Sequence, residues 1–186
     1  MPNDKFYEMR EHRDEFFSLN LPIDDTYSFV VVSNNNPFHL REYNHDIKYI
    51  CKSINDILPD WQSPPSIEQA IKRLNTISSL FLFYHREYRK PIGWGWFSNV
   101  FTYNWIDKVH ELPTNNAAYF GGTYITKDKK IPRAAGLQLY IQAFNYLLTH
   151  NEWLYGYMDS WNKAPIKICH KLGGSKYDFI KEYKDV

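Results

Sequence analysis

The sequence predicts a mixed α/β protein built as a single domain. Aromatic and β-branched runs such as 27–33 and 117–126 have the composition of strands, and they alternate with segments whose apolar residues recur at helical spacing. With 186 residues, the chain can form one domain with a substantial core, whereas two independent domains would be small. Because neither a repeat nor a linker interrupts the pattern, we expect one domain over 1–186, with 1–26 as an N-terminal extension.

Composition and charge are those of a soluble globular protein. Apolar residues make up 44% and charged residues 23% of the chain. A formal net charge of +1 gives no general attraction to nucleic acids or anionic membranes. We find no apolar run of membrane-spanning length and no signal-peptide pattern, and the two cysteines, Cys51 and Cys169, do not form a disulfide framework. We therefore expect a cytoplasmic location.

The first half of the chain is predicted to hold one strand and three helices. Residues 4–17 suggest a short charged helix, and Tyr27–Ser33 is a strand rich in valine. Apolar residues at helical spacing predict an amphipathic helix over 38–57. A further helix follows the next proline pair, where Ser66 and Gln69 have the spacing of a capping box.

A hairpin and a longer strand are predicted next. Residues 79–86 and 91–99 are strands joined by a polar turn. Residues 100–116 read as an insertion or partial strand. The strand 117–126 contains Gly121-Gly122, and paired glycines within a strand indicate a bulge or a close approach by a ligand.

The turn at 133–138, with the sequence RAAGLQ, joins that strand to a well-patterned amphipathic helix. A strand that passes through a small-residue turn into a helix presents free backbone N–H groups at the positive end of the helix dipole. Such a turn is suited to an anion, above all the pyrophosphate of a coenzyme. A strand at 153–158, a short helix at 162–172 and a final strand at 177–183 complete the prediction.

Three of these stretches resemble the GNAT superfamily of acyl-coenzyme A N-acyltransferases. The turn at 133–138 is similar to the family's pyrophosphate motif, Gln/Arg-x-x-Gly-x-Gly/Ala. The segment 162–174, NKAPIKICHKLGG, resembles its second signature, and the hairpin strand beginning PIGWG at 91–95 resembles its third strand. The resemblance covers about 27–183. It implies a mixed, mostly antiparallel central sheet flanked by helices and splayed between the family's strands 4 and 5.

Three positions and one loop depart from the family pattern. Gln138 stands where a second Gly or Ala is usual, and Gly174 replaces a common Phe. Cys169 occupies the position, seven residues after Asn162, where the family often has a Tyr that serves as general acid. The loop at 127–132 is also longer than usual.

The resemblance implies acetyl-coenzyme A, or another acyl-coenzyme A, as co-substrate, and no metal. The pantetheine arm would pair with the backbone near the end of the family's fourth strand, and the pyrophosphate would meet the main-chain N–H groups of the following turn. The implied coenzyme residues are Tyr124, Ile125, Thr126, Arg133, Ala134, Ala135, Gly136, Leu137, Gln138 and Asn162. The lysines at 127, 129 and 130 would either meet a further phosphate or form a solvated loop.

Acyl transfer to an amine requires two proton movements, because the ammonium must lose a proton and the thiolate must gain one. The candidate bases are Glu87, His110, Glu111, Tyr119 and Asp159, of which Glu111 and Asp159 are preferred for their places beside the family's fourth and fifth strands. The candidate acids are Cys169 and Tyr177, although Cys169 would equally serve as a small buried hydrophobe.

The resulting expectation is transfer of an acetyl or other acyl group to a primary amine of a small molecule by direct attack in a ternary complex. A hydroxyl acceptor, or an amine on a sugar nucleotide or peptide, is the second interpretation. The third is a coenzyme- or carbohydrate-binding module without turnover, suggested by Gln138, Cys169 and an aromatic content of 18%. No HExxH or CxxC pattern indicates a metal site. The number of subunits is left open, with a homodimer as one option.

Overall fold

The computed structural model describes residues 6–33, 39–42, 79–88, 91–103 and 108–176. The strands within these ranges are β1 (Phe6–His12), β2 (Tyr27–Ser33), β3 (His39–Glu42), β4 (Ser79–His85), β5 (Gly93–Ser98), β6 (Val100–Tyr103), β7 (Lys108–Glu111), β8 (Ala117–Ile125), β9 (Trp153–Asp159) and β10 (Ser175–Lys176). The helices are α1 (Arg13–Ser18), α2 (Ala135–His150) and α3 (Lys163–Lys171).

Eight of the described strands form one sheet, in the order β10-β1-β9-β8-β5-β4-β2-β3. Neighbouring strands are antiparallel except for the β8–β9 pair, which is parallel. The hairpin strands β6 and β7 form a separate two-stranded sheet. The predicted mixed, mostly antiparallel sheet with flanking helices is therefore confirmed.

The core lies between α2 and one face of the large sheet. Alternate residues of the central strands, such as Phe81 and Phe83, are fully buried in the same cluster as Leu139 and Phe144 of α2. The ring of Phe144 lies 5.9 Å from that of Phe16 on α1, so this short helix packs on the same side. Each such side chain contributes about 1.5–3 kcal/mol through burial.

Several predicted elements are confirmed by the structure. The strand Tyr27–Ser33 has the predicted bounds, and β4 and β5 form the predicted hairpin. The strand β8, the helix α2 after the RAAGLQ turn, the strand β9 and the short helix α3 all lie where the sequence predicts them. The segment at 100–116, interpreted as an insertion or partial strand, contains β6 and β7.

The helix predicted over 4–17 is wrong over residues 6–12. Residues Phe6–His12 form β1, which pairs with β9 along its whole length, and only Arg13–Ser18 is helical. The side chains of Met9 and Glu11 are buried while that of Arg10 is exposed, which is the two-residue period of a strand. The N-terminal extension thus supplies a strand of the main sheet, between β9 and β10.

The helix predicted over 38–57 is also wrong at its start. Residues His39–Glu42 form β3, an edge strand antiparallel to β2. Pairing along β2 determines the conformation of these four residues, because tertiary contacts override local helical preference. The rest of this helix, the helix after Pro65 and the strand at 177–183 lie outside the described residues.

Candidate functional site

The strands β8 and β9 begin side by side and then separate. Three positions pair, Ala117 with Trp153, Ala118 with Leu154 and Tyr119 with Tyr155. Beyond these pairs, β8 continues along β5, and β9 continues along β1. Each strand keeps its outer partner while the facing edges diverge, so within the part of the chain that the structure describes, no strand pairs with these edges beyond Tyr119 and Tyr155. The predicted splay is thus present in the sheet.

A bulge in β8 accompanies the separation. Trp94 pairs with Tyr124 and Trp96 with Gly121, so β8 contains one more residue than β5 over this stretch. Gly122 has a φ of 60°, a left-handed conformation that glycine adopts without steric cost. The bulge predicted from Gly121-Gly122 is confirmed, and a bulge bends its strand and increases the local twist.

The gap between the strands opens into a cavity of about 190 Å³. Its walls come from the diverging halves of β8 and β9, and its inner end from β1, α2 and α3. The lining residues are Met9, Glu11, Phe120, Gly121, Gly122, Thr123, Tyr140, Phe144, Leu154, Tyr155, Gly156, Tyr157, Met158, Asn162, Pro165 and Cys169. The cavity therefore joins residues from both ends of the chain.

Two tyrosine hydroxyls of the cavity lining are hydrogen-bonded. The Tyr140 hydroxyl and Thr123 Oγ1 are 2.6 Å apart, which links α2 to the bulged part of β8. Burial raises the pKa of Tyr140, so its hydroxyl is neutral at physiological pH. The Tyr155 hydroxyl lies 3.1 Å from Thr114 Oγ1, which is outside the cavity lining.

The sequence reasoning missed Glu11, the buried carboxyl group of this cavity. Its side chain is 3% exposed, and its Oε1 has no hydrogen-bond partner among the described residues. Burial raises the pKa of Glu11 well above its ordinary value. No pattern in the sequence pointed to this residue, because Glu11 is a charged residue within a segment interpreted as helical, and its burial follows from its place in β1.

The first turn of α2 is open, as an anion site requires. Ala134 is the N-cap residue and provides no side-chain cap, and the first turn contains no acidic residue. Within the described ranges, the N–H groups of Gly136 and Leu137 have no acceptor, whereas those of Ala135 and Gln138 bond to carbonyl groups of the turn. A Cβ atom on Gly136 would meet nothing within 4 Å. The turn therefore offers two N–H groups at the positive end of a 16-residue helix.

Gln138 does not obstruct this turn, although it departs from the family pattern. Its side chain is buried and faces the segment before β2. There its Nε2 donates to the carbonyl oxygen of Pro22, and its Oε1 accepts from the N–H of Asp24, both at 3.1 Å. The bulk of the glutamine is thus directed away from the open side of the turn.

The loop before the turn is rich in exposed cations. The side chains of Lys127, Lys129, Lys130 and Arg133 are all exposed. Asp128 stabilises a turn in the loop, because its Oδ1 accepts a hydrogen bond from the N–H of Lys130 at 2.9 Å. Since cations outnumber the one acidic residue here, the loop adds positive potential to that of the helix terminus.

The three coenzyme residues predicted on β8 lie at its end, where the bulge has just ended. The Tyr124 ring stacks on Trp94, with the ring centroids 4.5 Å apart. The N–H of Thr126 donates to the carbonyl of Ile92 at 2.8 Å, so it is engaged with the β5 side. Ile125 packs against the main core, and Asn162 lines the cavity.

The predicted acid–base residues are distributed unevenly about the cavity. Cys169 lines it, with its Sγ 4.0 Å from Met158 Sδ, and burial raises the pKa of its thiol. Glu111 is exposed at the end of β7 and does not line the cavity. Asp159 ends β9 next to Met158 of the lining, whereas Tyr177 lies outside the described residues. Among the described residues, no three His, Cys, Asp or Glu side chains are grouped to hold a metal ion, and no helix is long and apolar enough to cross a membrane.

No protein-family model matches the sequence, and a search of curated proteins finds no significant relative. Solved structures do match. A tandem GNAT protein from the clavulanic acid biosynthesis pathway superposes with a TM-score of 0.60 and 14% identity, over 96% of this chain and 52% of that one. A Drosophila structural-genomics target gives 0.55 and 10%, over 94% and 48%. A putative acetyltransferase of the GNAT family from Novosphingobium aromaticivorans gives 0.50 and 11%, over 92% and 59%.

The chain therefore has the fold of the GNAT superfamily. It spans about half the length of the tandem GNAT protein and the Drosophila protein. At these identities the likeness concerns the fold, and the activity has to be argued from the site.

Proposed function

We propose that this protein binds acyl-coenzyme A, with acetyl-coenzyme A as the first candidate, and transfers the acyl group to a primary amine of a small molecule. The observation that carries the proposal is the three-pair contact between β8 and β9, which opens into a cavity just before the uncapped N-terminus of α2. The open strand edge and the open helix turn suit different parts of the same coenzyme.

The pyrophosphate would bind at the first turn of α2. The free N–H groups of Gly136 and Leu137 would donate to its oxygens, and the helix dipole favours negative charge there. From Ala135 to the cavity-lining Tyr140 the helix rises about 7.5 Å. A chain extending from this turn along α2 would therefore reach the cavity within a short distance.

The pantetheine arm would lie in the gap between β8 and β9. An extended ligand can add to an exposed strand edge by pairing its amides with the backbone. Among the described strands, none pairs with the edge of β8 that faces the gap beyond Tyr119, which makes this edge suitable for such pairing. A backbone N–H on the same edge would polarise the thioester carbonyl and stabilise the oxyanion that forms during attack.

Transfer would then proceed by direct attack of the amine nitrogen on the thioester carbon. The carbon–sulfur bond breaks, the sulfur keeps the bonding electrons and gains a proton to become a thiol, and the nitrogen gives up a proton as the amide forms. Holding the two reactants in attack geometry can lower the barrier by about 7–11 kcal/mol, so positioning provides much of the catalysis.

Release of free coenzyme A tests this proposal. The purified protein is incubated with acetyl-coenzyme A and a panel of primary amines, with matched alcohols in parallel, and the thiol is measured over time. We expect amine-dependent release by the unaltered protein and loss of that release in Gly136→Glu. Equal release with alcohols would favour a hydroxyl acceptor, and tight binding without any release would favour a non-catalytic module.

A further inference from the structure

The buried carboxyl of Glu11 lies at the inner end of the cavity, beside the turn that follows α3. A Cβ atom built on Gly174 would overlap Glu11 Oε1 and lie 3.0 Å from the carbonyl oxygen of Cys169. The absence of a side chain at Gly174 therefore makes the space that the carboxyl group occupies.

The groups that face Glu11 are neutral. Tyr140 approaches from α2 and Cys169 from α3, and each interacts electrostatically with Glu11. Burial raises the pKa of both, so neither carries a charge at physiological pH. The residues of β9 that line the cavity have no charged side chain. The side chains of Arg10, next to Glu11 in β1, and of Lys176 in the adjacent strand β10 are exposed.

We propose that Glu11 gives its proton to the sulfur of the coenzyme as the acyl group leaves. The proposal rests on the acyltransferase function argued above. As the carbon–sulfur bond breaks, sulfur keeps the electron pair and takes the carboxyl proton, so the products are a thiol and a Glu11 carboxylate. The proton that the nitrogen loses on forming the amide then returns the carboxylate to its acid form through solvent, which balances the reaction.

Acid strength distinguishes Glu11 from its neighbours. An ordinary thiol has a pKa of about 8.5, and a proton donor with a higher pKa would give up its proton unfavourably. Burial raises the pKa of Cys169 and Tyr140 from starting values of 9.0 and 10.0, which makes both poor donors to a thiolate. Burial also raises the pKa of Glu11, which starts from 4.5, so the acid form of this carboxyl group is favoured, and by its starting pKa a carboxylic acid is a stronger proton donor than either neighbour.

The ionisation of bound coenzyme A tests the contact directly and needs no acceptor. Free coenzyme A is added to the unaltered protein and to Glu11→Gln, and the ultraviolet absorbance of the thiolate is followed against pH. A Glu11 carboxylate beside the sulfur disfavours a second negative charge, so we expect the thiol to ionise about one pH unit or more higher in the unaltered protein. Identical midpoints in two proteins that both bind coenzyme A would overturn the proposal.

Turnover provides the second test. With an amine that supports release of coenzyme A, we expect Glu11→Gln to lower kcat about 100-fold or more, because general acids contribute on this scale. Glu11→Asp, which keeps an acid, should recover part of the rate, and Glu15→Gln on the exposed side of α1 is the matched control. In the unaltered protein kcat should fall as pH rises through the raised pKa of Glu11, and this fall should be absent from Glu11→Gln.

Other outcomes are equally informative. An unchanged kcat in Glu11→Gln, or a kcat that rises with pH through the pKa of Glu11, would overturn the role as acid. If Glu11→Gln fails to fold, Glu11→Asp decides the matter, since a retained acid should keep both the pH dependence and the raised thiol midpoint. Failure of the unaltered protein to bind coenzyme A would instead refute the proposed function, which separates the two claims.

Discussion

The side chains of Gln138 and Gln142 fasten the segment before β2 to α2. Gln138 bonds to the backbone of Pro22 and Asp24, and one turn later Gln142 Nε2 donates to the carbonyl oxygens of Asp24 and Tyr27 at 3.4 and 3.3 Å. These contacts give the departure at Gln138 a structural reason. A glutamine here replaces the small residue of the family motif, and its buried side chain holds the segment before β2 against the helix.

We expect Gln138→Ala to destabilise the fold without weakening coenzyme binding. The substitution leaves the N–H of Asp24 and the carbonyl of Pro22 without their partner, which costs about 1–3 kcal/mol in the free energy of unfolding. Urea unfolding measures this loss, and calorimetry measures the dissociation constant for acetyl-coenzyme A. Thr149→Ala, at the exposed end of the same helix, is the control. Weaker binding with unchanged stability would show that Gln138 acts on the coenzyme instead.

Glu11 also makes the stability of the fold depend on pH. Its pKa in the folded chain is raised above 4.5, the ordinary value that applies in the unfolded chain. Between these two pKa values the folded chain binds more protons than the unfolded chain, so the free energy of unfolding falls as pH rises through this window. Each unit of separation contributes about 1.4 kcal/mol of this fall.

Glu11→Gln should remove this contribution. We expect the unaltered protein to lose more stability than the variant as pH rises above 4.5 and through the raised pKa of Glu11. Urea unfolding of both proteins across this range gives the difference directly, and contributions from other titrating groups cancel in the comparison. Parallel stability curves would mean that Glu11 has the same pKa in the folded and unfolded chains.

The elements fall into those that local sequence determines and those that distant pairing determines. The strand β2 and helix α2 could be predicted because their apolar patterns persist over several residues and end at clear breakers. The strand β1 could not, because its seven residues mix charged with aromatic side chains and form a strand only through pairing with β9, about 150 residues away. Because β1 was not predicted, the buried position of Glu11 was not predicted either.

A cross-link between β1 and β10 tests this pairing. Arg10 and Ser175 are paired positions with exposed side chains, and Arg10 Nε lies 3.4 Å from Ser175 Oγ. Cysteines at paired strand positions lie close enough for a disulfide. We expect Arg10→Cys/Ser175→Cys to form an intramolecular disulfide on oxidation, detected by mass spectrometry and faster migration on a non-reducing gel.

The control for this cross-link is Arg10→Cys/Lys176→Cys, since Met9 rather than Arg10 pairs with Lys176 and neighbouring strand residues point to opposite faces. Equal cross-linking of both pairs, or of neither, would contradict the register of β1 and β10. If residues 4–17 formed a helix, β1 would not pair with β10, and the selective cross-link would not form.

At the scale of the whole molecule, the candidate site depends on contacts between the two ends of the chain. Its local part, the turn at 133–138, could be predicted because the sequence order alone places a small-residue turn between a strand and a helix. Its long-range part could not, because Glu11 and Cys169 become neighbours only when β1 inserts beside β9 and α3 closes over them. Residues 1–26 are therefore expected to be necessary for coenzyme turnover.

The central claim is that the cavity and the turn of α2 together hold an acyl-coenzyme A. Calorimetric titration of acetyl-coenzyme A tests it most directly, using the unaltered protein, Gly136→Glu and a control. The control is Asn115→Glu, which adds the same charge at an exposed position just before β8. A carboxylate at Gly136 would project into open space beside the free N–H groups and repel the pyrophosphate. We expect binding by the unaltered protein and the control, and a dissociation constant at least about tenfold larger in Gly136→Glu, a change of about 1.4 kcal/mol. Equal binding by all three proteins would contradict the assignment of the turn, and no binding by any of them would show that the fold is present without its coenzyme.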